Sequence, residues 1–367
     1  MRSTCWIAKR LFLIGLVALA LSPAVLAQSS NVSVFATGFN NPRGLKFGPD
    51  GNLYVAEGGA GGTLSSVGKC KQVVAPIGPY TGGFTARISK VTPDGTVTII
   101  TDNLPSDQTS SDSGSLVSGV ADLAFKGNTL YAILAGAGCS HGLAGTHNGV
   151  LRVNPDGTTT MVANLSAFLK SHPVANPEPD DFEPDGTWYS MIAVHGVFYA
   201  IEPNHGELDA ISRGGQVRRV LDISNIQGHI VPTAVAFDGH DFFVGNLDTF
   251  PIKDGSSKIM KITPGGHLTT VYIGFSDILG LAFDEKGRLY VLENTTGNPF
   301  PTAHTAKILR VDGKNQYTEI ASGTTSALSL PTAMTFGPDG NLYVSNIGFG
   351  PPPKGLGQVL KVTVPND

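Results

Sequence analysis

The chain has 367 residues, 25 Lys and Arg against 29 Asp and Glu, a formal net charge of -4, and 46 Gly, 24 Pro and only 15% charged residues. Such a mildly acidic chain is a poor partner for nucleic acid or an anionic membrane, and its 41% hydrophobic content is too high for a disordered one. The Gly and Pro content with few charges points to many turns between short strands rather than to helices.

From the N-terminus, residues 1–27 read as a secretory signal peptide. Arg2, Lys9 and Arg10 precede an apolar run too short to span a bilayer, and Val25 and Ala27 satisfy the small-residue rule for cleavage after Ala27. Removing these three basic residues and no acid takes the charge from -4 to -7, with 22 basic residues left against 29 acidic. No cysteine follows the run at the cleavage site, and no later stretch approaches the roughly 18 apolar residues of a spanning helix. The expectation is an exported protein, periplasmic or extracellular, whose mature chain is 28–367.

The rest of the chain repeats itself. A pattern of short apolar strand, turn and second strand occurs as "GLKFGPDGNLYVAE" (44–57), "VADLAFKGNTLYAIL" (120–134), "MIAVHGVFYAIE" (191–202), "AVAFDGHDFFVGN" (234–246), "GLAFDEKGRLYVLE" (280–293) and "AMTFGPDGNLYVSN" (333–346). A second hairpin follows each of the first five copies, as in "ARISKVTPDGTVTII", "GVLRVNPDGTTTMV" and "KIMKITPGGHLTTVY". Apolar alternation broken by Asp-Gly or Gly-Gly indicates antiparallel hairpins, and four-strand units recurring every 40 to 50 residues or so predict an all-β, six-bladed β-propeller. The sixth unit stops after "GQVLKVTV" (357–364), one strand short. "VSVFATGF" (32–39) resembles the outer strands "TVTIITDNL" and "TTTMVANL", so the N-terminal strand is expected to complete the last blade. The two copies of "FGPDGNLYV", at 47–55 and 336–344, then lie in neighbouring blades.

Five Pro-Asp-Gly triplets place aspartates at Asp50, Asp94, Asp156, Asp185 and Asp339. Four read as hairpin turns, in which Pro fixes φ and Gly takes φ above zero. Asp185 sits in an insertion instead. Residues 58–85, 135–147, 247–256, 294–305 and 347–356 form long loops after second strands, on one face of the ring. Binding sites favour such loops on a rigid scaffold, so this is the expected working face.

Three positions beyond the second-strand aromatics Tyr54, Tyr131, Tyr199, Phe243, Tyr290 and Tyr343 stand Glu57, Leu134, Glu202, Asn246, Glu293 and Asn346. Five of these six carry oxygen, and a ring of Glu57, Glu202, Asn246, Glu293 and Asn346 at the channel mouth would suit Ca2+ or another divalent cation. The alternative is a water-filled channel with a solvated rim. Blade three adds "NPEPDDFEPDGTWYS" (176–190), with Glu178, Asp180, Asp181, Glu183 and Asp185, and "EPNHGELD" (202–209). From these, Tyr189, Asn204, His205 and Glu207 are the candidate ligand contacts, and His205, Asp185 and Glu207 the candidate acid–base groups. A solvated acidic loop is the plainer reading.

Cys70 and Cys139 are the mature chain's cysteines and fall in neighbouring loops of blades one and two. They are one disulfide or two free thiols, and no activating partner for a reactive thiol is evident. Phosphate-loop, His-Glu-x-x-His, Cys-x-x-Cys and Gly-x-Ser-x-Gly motifs are absent, so no organic cofactor is indicated. Asn31, Asn164 and Asn294 open glycosylation sequons.

"FATGFNNPRGLKFGPDGNLYVAEGG", "GPYTGGFTARISKV", "EPDGTWYS" and "EPNHGELD" together resemble the ScyD/ScyE family of exported bacterial proteins across essentially the whole mature chain. The resemblance implies a secreted, NHL-like propeller and no established reaction. Six-bladed hydrolases of the gluconolactonase and strictosidine-synthase type, a looser match, hold a divalent cation at the channel mouth. The expected function is binding of a small molecule or glycan on the long-loop face; the alternative is a cation-dependent hydrolase or lactonase acting through the ring, with His205 or Asp185 as base. Propellers close their own sheet edges, so a monomer is expected.

Overall fold

The computed structural model describes residues 31–177, 179, 182–350 and 354–365. The proposed signal peptide, 1–27, and Glu178, Asp180 and Asp181 of the acidic insertion lie outside the described residues. Six antiparallel sheets form a ring, a six-bladed β-propeller. Their innermost strands, Pro42–Phe47, Val120–Lys126, Ser190–Val194, Pro232–Phe237, Ile278–Phe283 and Ala333–Phe336, each touch the next around the axis. Blade six closes as expected: Val32–Phe39 pairs antiparallel with Gly357–Val362 as its fourth, outermost strand.

The alternation that identified the strands also fills the gaps between blades. One apolar cluster occupies each blade-to-blade boundary; Ala56 and Ile88 of blade one meet Val120 and Leu123 of blade two, and Ala36 and Phe39 of the closing strand meet Leu45 and Val55 of blade one. Burial between successive sheets is the main driving force for ring closure. Polar threads reinforce it near the axis, where Asp122 Oδ2 accepts the Met191 amide (2.8 Å), Ser190 Oγ donates to Thr233 O (2.9 Å) and Thr332 Oγ1 donates to Pro42 O (2.6 Å). Gly44 is required there, because a Cβ at that position would stand 1.9 Å from Asp122 Oδ1.

The duplicated nonapeptide folds identically in blades one and six. Gly51 and Gly340 take φ of 76° and 74°, and Tyr54 and Tyr343 donate their hydroxyls to Asp50 and Asp339 at 2.9 and 3.1 Å. These aspartates serve turns. Short helical pieces at Ser111–Ser113 and Ser224–Gln227 and one longer helix interrupt the strand pattern: after Thr159–Asn164 the chain forms the helix Leu165–Ser171, because the Asn164 side chain accepts the Ala167 amide at 2.9 Å and caps it. The Asn164 sequon is thus engaged, as are those of Asn31, whose amide donates to Ile320 O (2.8 Å), and of fully buried Asn294.

Candidate functional site

Each of the five ring residues is hydrogen-bonded within its own blade. Second strands stand one strand out from the centre, and each side chain turns back onto the segment leading into its own blade. Glu57 Oε2 accepts the Asn40 amide (2.6 Å), Glu202 Oε1 that of Thr187 (2.7 Å), Glu293 Oε1 that of Ser276 (2.7 Å) and Asn346 Oδ1 that of Ser329 (2.7 Å). Asn246 donates to Ile230 O (2.9 Å) and accepts the Lys258 amide (2.8 Å). All five are buried, and Leu134, the sixth member, packs in the apolar cluster between blades one and two. Donors already occupy these oxygens, and Arg87 adds an ion pair to Glu57 at 2.8 Å, so the ring does not fit a central cation. Among the described residues no three His, Cys, Asp or Glu side chains gather as ligands of one ion.

Tyr189 also has a structural partner. It precedes the inner strand of blade three and donates its hydroxyl at 2.7 Å to Thr332 O, at the start of the diametrically opposite blade six. Its phenol therefore crosses the top of the ring, packed against Leu247, Ile252 and Leu279. Burial raises its pKa, opposed by Arg43.

Of the acidic insertion, Glu183 and Asp185 are buried. Asp185 Oδ2 accepts from the amide and hydroxyl of Ser140, both at 2.8 Å, and Oδ1 from Lys170 Nζ at 2.6 Å. Burial would raise its pKa, but these donors hold it below the usual carboxylate value, so it is no free base. Next to it, His141 Nδ1 is hydrogen-bonded to Asp107 Oδ2, and its Nε2 reaches Gly186 O at 3.1 Å. Tyr80 donates to Glu183 Oε1 at 2.8 Å. His141 is fully buried; burial alone would lower its pKa, but Asp107, with Glu183 and Asp185, raises it to about 9. The Cys70–Cys139 disulfide (S–S 2.10 Å) joins the loops of blades one and two directly beside Ser140 and His141. Sequence reasoning missed Asp107 and His141, although the position of His141 two residues after Cys139 was a usable signal.

Glu207, a candidate base and ligand contact, lies inside blade three. It pairs with Arg219, and burial followed by the neighbouring Asp209 raises its pKa to about 10, while burial lifts Asp209 to about 7. Glu202 stands opposite Glu207 in register, so three buried carboxylates lie close together, and Arg219 pairs with Glu207 among them. Asp209→Asn retains an acceptor for Trp188 Nε1, which lies at 3.4 Å, and gives Glu207 a donor. That variant is expected to be more stable than the parent at pH 8, by on the order of 1–2 kcal/mol, with the difference vanishing toward pH 4 in urea unfolding.

Asn204 and His205 complete the local account. Asn204 Oδ1 accepts the Glu183 amide at 2.7 Å, which fixes the loop. Glu202 accepts the His205 amide, and His205 Nε2 lies 3.0 Å from Glu183 O, to which it donates. Its Nδ1 is buried without a hydrogen-bond partner. His205 lines a cavity of about 180 Å³, otherwise bounded by Leu169, Lys170, Val174, Phe182 and three prolines. Of the candidate residues, His205 is the one lining this cavity.

No sequence family and no curated protein matches the chain. Solved structures do. A protein of unknown function from Bacteroides thetaiotaomicron superposes with a TM-score of 0.58 at 12% identity, over 92% of this chain and 76% of that one. A protein described as a glucose dehydrogenase from Thermus thermophilus gives 0.56 at 17% identity, over 90% and 99%. A gluconolactonase from Xanthomonas campestris gives 0.52 at 11% identity, over 93% of each. The likeness is one of fold. Among the described residues no helix is long and apolar enough to cross a membrane.

Proposed function

We propose that this propeller binds a small molecule on its long-loop face, in the cavity beside His205. One observation carries the reading: a buried imidazole nitrogen with no partner borders a largely apolar hollow. Buried polar atoms are normally satisfied, so an orphan acceptor at a cavity suits a ligand with an apolar body and one hydroxyl or amine donor. The volume of about 180 Å³ is below the roughly 300–1,000 Å³ of drug-sized sites, which favours a single ring or one sugar unit over an oligosaccharide. Thermal-shift screening of phenols, lactones and monosaccharides tests this. Hits should stabilise the protein, and His205→Leu should weaken them about tenfold or more, the value of one hydrogen bond to a buried group. Hits unaffected by that substitution would move the site elsewhere.

A second reading, hydrolysis of a lactone or ester, has the same nitrogen in its favour, since a positioned imidazole with a free ring nitrogen at a cavity is a candidate general base. Fold neighbours described as gluconolactonase and glucose dehydrogenase add a precedent for enzymes on this scaffold. Turnover abolished by His205→Gln would decide for it. Membership of the ScyD/ScyE family, and export, rest on the loop and N-terminal motifs of the sequence.

A further inference from the structure

A second site emerges where the working-face loops of blades four and five meet. Asp277 links the outer strand of blade four, Leu268–Phe275, to the inner strand of blade five, Ile278–Phe283. It is fully buried with a left-handed φ of 47°. Its backbone is held from both sides, its N–H donating to Ser257 Oγ and its carbonyl accepting the Asn294 amide, each at 2.9 Å. Yet neither carboxylate oxygen receives a well-formed hydrogen bond. The Asn298 side chain alongside only partly offsets the burial that, with Asp254 and Asp248 nearby, raises the Asp277 pKa to about 7. The loop carrying Asp254 is held by the Gly255 amide, which donates to Ser276 Oγ at 2.9 Å, and Asn298 donates to Asp254 Oδ1 at 2.7 Å. Asn298 Oδ1 and the neighbouring Asn294 Oδ1 are likewise buried without a partner.

A buried carboxylate with neither counter-charge nor a good donor is costly, and surrounding it with further acceptor oxygens raises the cost. The missing partner must supply positive charge and accept several oxygens at once. We propose that Asp277, Asp254 and the Asn298 carbonyl oxygen form a site for a hard divalent cation of the calcium type, completed by water. Calcium takes six to eight oxygens and tolerates irregular geometry, which suits two carboxylates and an amide on three separate segments. The site lies between two blades, and one ring residue, Glu293, stands beside it: its Oε1 accepts the amide of Ser276, the residue before Asp277, at 2.7 Å.

The test uses the whole protein after exhaustive chelation. Calcium, magnesium and manganese are titrated separately by calorimetry, with thermal unfolding recorded alongside. The expected result is saturable calcium binding with a rise in Tm that grows with concentration. Asp277→Asn should abolish both responses while leaving the apo protein as stable as the parent or more so, since it removes a buried unpaired charge. Asp254→Asn should weaken binding by roughly tenfold or more without unfolding the protein. Glu57→Gln, a ring substitution, should leave the calcium response unchanged. Absence of binding by all three ions, or a response that survives both aspartate substitutions, would overturn the proposal.

Discussion

Removing Val32–Phe39 is expected to abolish the folded ring. That strand contributes the whole outer edge of blade six, pairing from Val32 with Val362 to Phe39 with Gly357. It also buries Val32, Ala36 and Phe39, the last completely, against blades five, six and one. Phe39→Ala alone should cost about 3–5 kcal/mol, a large part of the roughly 5–15 kcal/mol that stabilises a typical domain. Loss of all eight residues removes the three buried anchors together and leaves the edge of Gly357–Val362 unpaired, an invitation to aggregate. The truncated protein should be recovered as soluble aggregate or inclusion material, and Phe39→Ala should show a lower urea midpoint with an unchanged slope. A peptide of residues 31–40 added during refolding should restore monodisperse protein, since it supplies the missing strand in trans. A truncated chain with the parental midpoint would mean that the ring holds without its closing strand.

The contrast between this closure and the ring residues shows what a sequence can carry. Closure was legible because a strand advertises itself by alternation, and a sixth unit one strand short needs a partner from elsewhere. Glu57, Glu202, Asn246, Glu293 and Asn346 were legible as equivalent positions, and they are equivalent. What they face was not legible, since the side chain's choice between the axis and its own blade's leading segment depends on backbone amides that no residue pattern reveals. The Asp107–His141 pair was hidden for a different reason. Asp107 lies on the long strand Val97–Gln108 of blade one, paired there with Ser118 of the short fifth strand, while His141 comes from the loop of blade two. Among the described residues blade one is the one sheet with five strands, and that irregularity breaks the repeat on which alignment of blades relied. Asp277 escaped notice because "FSDILG" reads as an ordinary link into a strand, and a left-handed aspartate is visible only in the backbone.

The second large effect is alkaline. His141 in the folded state titrates at about 9, above its ordinary value of 6.5, so its interaction with Asp107 contributes stability that is complete below about pH 6.5 and lost as pH rises through about 9. A shift of that size corresponds to on the order of 3 kcal/mol across this window. Glu207 and Asp209 act in the same direction. Their folded values, about 10 and about 7, exceed the ordinary 4.5 and 3.8, so the folded state holds protons that the unfolded state releases, and it loses relative stability as pH climbs. Asp185, whose value is lowered, works at the other end: its contribution is present above 3.8 and disappears as pH falls through its folded value. Stability measured by urea unfolding should therefore decline from pH 6.5 to 9.5 more steeply than exposed groups would produce. Substitution separates the two alkaline sources. Asp107→Asn leaves His141 buried without its counter-charge; it should cost about 3–5 kcal/mol at pH 6 and much less at pH 9.5, where the parent has already lost the pairing. Asp209→Asn should flatten the slope without lowering stability at pH 6. If Asp107→Asn costs the same at both pH values, His141 is neutral throughout, and the pair is a plain hydrogen bond that holds the blade-two loop in place beside the disulfide.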